Sequence, residues 1–106
     1  MIKLTDKEGN EFILEYTRET VATMEKMGFE VGKFTEKPML MLPLAFKGAF
    51  LKNHKGIKQN KIDSLFNGIK NKSQLIDVLA DMLVDTYQTL SDKDETSEGN
   101  VEMEIL

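Results

Sequence analysis

Few residues in this chain are placed to do chemistry, and their spacing narrows the choice. Asp77, Asp81 and Asp85 stand at i, i+4 and i+8, on one face of a helix. Like charges at that spacing repel by a few tenths of a kcal/mol. Without loop carbonyls, three helical carboxylates cannot wrap a calcium ion. The row therefore reads as a solvated face, or as one awaiting a basic partner. Counted as an EF-hand loop from Asp94, the acidic tail puts Gly99 at the sixth position but Ile105 where a bidentate carboxylate is required. His54 is the one histidine, at a predicted helix end among lysines with no acid near it. There is no cysteine, which excludes disulfides, thiolate catalysis and cysteine-ligated metal. No nucleophile–base pair, glycine-rich phosphate loop or spaced carboxylate pair occurs. The sequence predicts a non-catalytic protein with no cofactor and no metal.

Two other features point to partners. The run "PMLMLPLAF" (38–46) is apolar without a polar face, and two of the chain's seven methionines, Met39 and Met41, lie in it. Methionine adapts its shape, so such residues recur on surfaces that accept varied apolar partners. A docking surface is expected at Met39, Leu40, Met41, Leu42 and Leu44, rimmed by Lys47 and Lys52. Residues 47–72 then carry seven lysines against Asp63 alone, a net of +6, whereas 73–106 carry nine acids against Lys93, a net of −8. Segregated charge implies either pairing between neighbouring elements or surfaces aimed at charged partners. Nucleic acid is the weaker expectation for the lysine segment, because the chain's one arginine, Arg18, lies elsewhere and no base-reading face is evident.

The elements that must position these residues follow from periodicity. Ile2 and Leu4 alternate with polar neighbours, "DKEGN" supplies a turn in which Gly9 and Asn10 can take positive φ, and Phe12, Leu14 and Tyr16 alternate again, predicting a β-hairpin. Thr17 is the predicted N-cap of a helix over 18–27 that Gly28 closes. The "FEVGKF" connector reads as a short strand or an irregular link with Phe29, Val31 and Phe34 inward. Proline inside a helix costs about 3 kcal/mol, so the next helix is expected from Pro43 to 53, with 38–42 undecided. A third helix, 59–70, presents Ile62, Leu65, Phe66 and Ile69. Ser73 is expected to cap the last helix, whose apolar face carries Leu75, Ile76, Leu79, Met82, Leu83, Tyr87 and Leu90.

These readings give an α+β fold: an N-terminal hairpin packed on about four mostly antiparallel helices. The expected domain is 1–91, with 92–106 a disordered acidic tail. The predicted core holds Leu4, Phe12, Leu14, Val21, Met24, Phe46, Phe50, Leu65, Phe66, Ile69, Ile76, Leu79 and Leu83, and Met27 and Met82 are read as core fillers. "VEMEIL" (101–106) alternates apolar and acidic residues, which suits a strand added to a sheet edge. No apolar run approaches the roughly 20 residues of a membrane span, and no signal-peptide pattern opens the sequence. A cytoplasmic location is expected.

"FILEYTRETV", "MEKMGFEVGKF" and "EKPMLMLPLAFKGAFLKNH", followed by a long acidic helix and an acidic–apolar tail, resemble a family of small phage and prophage proteins. That family is associated with tail assembly chaperones of siphophages. The resemblance is most specific at Gly28–Phe29, Lys37–Pro38 and "AFKGAFLKNH" (45–54), and Pro43 departs from it, within what the family would make a continuous helix. It implies a non-catalytic factor that keeps the tape measure protein soluble while the tail tube polymerises, and that is absent from the finished virion. It further implies a longer, frameshifted form contacting the major tail tube protein. The alternative is a small phage or host regulator that binds nucleic acid or a protein through 47–72.

Overall fold

The computed structural model describes residues 1–91, 101 and 103–105. The expected tail lies mostly outside these. Val101, Met103, Glu104 and Ile105 have no regular secondary structure.

The chain folds as α+β. Strands β1 (Ile2–Thr5) and β2 (Glu11–Leu14) form an antiparallel hairpin with Ile2 opposite Leu14 and Leu4 opposite Phe12. Asp6 organises its turn. The Asp6 carboxylate accepts from the Glu8 and Asn10 amides at 3.0 and 2.8 Å, and Gly9 alone takes positive φ, at 85°. Asn10 does not share that role.

Helix α1 (Arg18–Lys26) starts at Thr17, whose hydroxyl accepts from the Thr20 amide, while Thr20 Oγ1 accepts from the Thr17 amide. It ends where Gly28 turns left-handed at φ 104°. The connector is neither strand nor irregular: Val31–Lys33 is a single 3-10 turn. Phe29 and Phe34 are buried as expected, but Val31 and Met27 are exposed.

Helix α2 (Pro38–Gly48) corrects the prediction at both ends. It begins at Pro38 and carries Pro43 inside. The first turn holds because Leu40 and Met41 both donate to the Lys37 carbonyl and because Met41 is buried. Burying a methionine contributes about 1.5–3 kcal/mol, enough to offset most of the proline's cost. The helix stops at Gly48 rather than 53. The Ala49 carbonyl there turns to accept from Glu15 at 3.0 Å, tying the helix end to β2.

Helix α3 (Gln59–Gly68) buries Ile62 and Leu65. Helix α4 (Lys72–Gln88) is capped by Asn71, not Ser73: the Asn71 side chain accepts from the Gln74 amide at 3.0 Å. Asn71 stands just before the first turn, where a side-chain oxygen can accept a free amide, whereas Ser73 already lies inside that turn.

Two buried clusters result. Leu14, Phe46, Phe50, Ile62, Leu65, Leu75 and Leu79 lie between hairpin and helices. Val21, Met24, Phe29, Phe34, Met41, Ala45 and Leu83 lie between α1, α2 and α4. Tyr16 and Leu42 pack against both. Leu4, Phe12, Phe66, Ile69 and Ile76, predicted as core, are only half-buried at the margins, as is Met82, and Leu90 is exposed. Leu4 and Phe12 belong to a two-stranded sheet, too narrow to cover them fully.

An apolar groove between the second and third helices

The residues of the apolar run part company once folded. Met39 is 89% exposed and Leu40 62%, whereas Met41 is 5% exposed. The Met41 Sδ accepts from the Glu30 amide at 3.3 Å, so this residue holds α2 to the connector and is not on the surface. Leu42 and Leu44 are half-buried.

Met39, Leu42, Pro43 and Phe46 fall on one face of α2, at i, i+3, i+4 and i+7. That face meets Ile62 and Phe66 of α3 across an open groove of about 460 Å³. Phe46 and Phe66 meet edge-on at the floor, ring centroids 5.4 Å apart. The rim on the α3 side is polar: Gln59, Asp63 and Asn67, with the Gln59 amide donating to Asp63 at 2.9 Å.

The structure thus brings together Met39 and Leu42 of the predicted surface and leaves the rest out. None of Leu40, Leu44 and Lys47 lines the groove. Lys52 lies past the helix and pairs with Glu15 at 3.0 Å. The α3 wall escaped the sequence reading because Ile62 and Phe66 look like ordinary core positions. The signal that could have found it is Pro43, which in the sequence reads only as a helix breaker and which lies exposed on the groove face.

The charge segregation is only partly internal. Lys61 pairs with Asp6 at 2.9 Å and Lys52 with Glu15, both joining the basic segment to the hairpin. Lys61 and the Asn10 bonds hold the Asp6 carboxyl well below the usual carboxylate range. Among the described residues, no ion pair joins the lysines of 47–72 to Asp77, Asp81 or Asp85, which are all exposed.

His54 is structural. Its Nε2 accepts from the Ile13 amide at 2.9 Å, and its ring lies 5.3 Å from Phe12. Tyr16 donates to the Ala45 carbonyl at 2.5 Å, and burial raises its hydroxyl's pKa, so it stays a donor. Among the described residues no cluster of ligating side chains could hold a metal ion, and no helix is long and apolar enough to cross a membrane.

Fold and groove together define a small α+β module with an uncovered apolar cleft between two helices. The chain belongs to the family described as domain of unknown function DUF5055, whose model matches residues 1–105. No curated protein and no solved structure matches it.

Proposed function

We propose that this protein is a non-catalytic tail assembly chaperone of a siphophage or prophage, which holds an apolar helical segment of the tape measure protein in the α2–α3 groove. The observation that carries the reading is the groove itself, where part of the apolar run singled out from sequence forms an open wall facing Ile62 and Phe66. Helix-in-groove recognition uses apolar anchors at i, i+3, i+4 and i+7, which a long coiled client repeats along its length. The lining offers one carboxylate, Asp63, with an amide beside it rather than a second titratable group, which suits binding more than acid–base chemistry. The resemblance across most of the chain supplies the identity of the client.

The test is co-expression with the tape measure protein from the same gene neighbourhood, reading soluble client and pull-down. Met39→Asp places a charge on the exposed groove wall and should weaken binding at least about tenfold, or ~1.4 kcal/mol, with Tm unchanged. Leu40→Asp, exposed but outside the groove, should leave binding intact. A folded Met39→Asp protein that solubilises the client as well as wild type moves the docking surface elsewhere. If wild type solubilises no tape measure protein, the chaperone reading falls. Binding to DNA with a steep salt dependence would favour the regulator instead.

A further inference from the structure

We propose that the segment Val101–Ile105 of one copy adds as a strand to the outer edge of β1 in a second copy of this chain. The edge is open on one side only. On β2, the Ile13 amide is taken by His54 and its carbonyl by Asn53 Nδ2 at 3.1 Å, so the α2–α3 connection caps that edge. Because Ile13 turns its peptide groups away from β1, its partner Lys3 turns its own away from β2. Lys3 and, two residues on, Thr5 therefore present N–H and C=O groups outward, and both residues are exposed. An edge of this kind is a template for another strand unless something blunts it.

Beside it lies a cleft of about 540 Å³ between β1, its turn and the C-terminal half of α3. Leu4, Leu65 and Ile69 give the cleft an apolar component, and Lys7 and Lys70 stand in its lining. An added strand must put apolar side chains toward Leu4 and polar ones toward Lys3, since alternate residues point to opposite faces. Val101, Met103 and Ile105 supply the first set and Glu102 and Glu104 the second. On the other face the acidic residues would meet Lys3, where they would share its ammonium with Glu11, 2.8 Å away. A lysine on an edge strand deters unselective pairing, and an acidic strand is the kind it repels least.

The occupant is a second copy because the single chain leaves its own segment out. Val101, Met103 and Ile105 are 87, 82 and 86% exposed. The family model extends to residue 105 and so takes in this segment. Joining one copy's segment to the next copy's edge is a heterologous contact, which generates a ring or an open series of copies.

The full-length chain is examined by sedimentation over a wide concentration range, with hydrogen exchange read at the Lys3 and Thr5 amides. Association should rise with concentration, and protection of both amides with it. Met103→Asp and Lys3→Glu, both at exposed positions, should each weaken association at least about tenfold. Met39→Asp should leave it unchanged, so this result stands or falls apart from client binding. A chain that stays monomeric throughout overturns the proposal, as do variants that associate like wild type. Protection independent of concentration overturns it too, by showing that the segment docks on its own β1.

Discussion

Gly48 of α2 lies directly against Met24 of α1, and replacing it with alanine tests the packing of these two helices. A Cβ at Gly48 would lie 2.2 Å from Met24 Sδ and 2.4 Å from its Cγ, against the roughly 3.5–4.0 Å at which such atoms are comfortable. Met24 is fully buried among Val21, Phe29, Phe34, Met41, Ala45 and Leu83, so it cannot swing into solvent. Overpacking of this kind costs about 1–3 kcal/mol, while alanine regains up to ~1 kcal/mol of helix propensity. Set against the full propensity gain, the net is a loss of up to about 2 kcal/mol, which at ~4–8 °C per kcal/mol lowers Tm by up to about 16 °C. Gly68, the last residue of α3, meets nothing within 4 Å, so Gly68→Ala is the matched control and should be neutral or slightly stabilising. Thermal unfolding by circular dichroism reads both. In a Met24→Ala background the Gly48→Ala penalty should vanish, because the obstructing atoms are gone. A Gly48→Ala protein that melts at or above wild type would refute the close approach of α1 and α2.

Two further predictions rest on the hairpin. His54→Ala orphans the half-buried Ile13 amide and should cost about 1–3 kcal/mol in urea unfolding, with the hairpin amides losing exchange protection first. Asp6 has its carboxyl pKa depressed by Lys61, so its contribution is present above the unfolded value of about 3.9 and is lost as pH falls toward the folded one. Wild-type stability should therefore decline on the acid side, and Asp6→Asn should flatten that limb, a difference read from urea midpoints between pH 6 and about 2.

Where local chemistry decided the structure, the sequence was readable. Thr17 and Gly28 bracket α1 because a hydroxyl cap and a left-handed glycine each act within a few residues. The hairpin and the α3 stripe follow from periodicity in the same way. What could not be read depended on contacts distant in sequence. Helix α2 ends at Gly48 because the Ala49 carbonyl meets Glu15, some 34 positions away, and nothing in "KGAFLKNH" encodes that. Met41 and Met39 are two residues apart in one run, yet one anchors the connector and the other lines a groove. His54 looked isolated among lysines because its partners, Ile13 and Phe12, come from the hairpin.

Proline at 43 links these observations. An apolar helix without a polar face is ordinarily buried all round. Here α2 divides its surface among three neighbours: Met41, Ala45 and Gly48 toward α1 and the connector, Phe46 and Ala49 toward the hairpin core, and Met39 and Pro43 toward the groove. The first two faces supply the burial that holds the helix together despite its proline. Proline lacks an amide hydrogen, so the Met39 carbonyl has no i+4 donor, a deficit tolerable only where water or a ligand can reach it. Met39 is 89% exposed and Pro43 is exposed beside it, so on this side of α2 that condition is met. The residue that argued against a helix in the sequence is thus accommodated because it lies on the groove side, where α2 meets water rather than a packed neighbour.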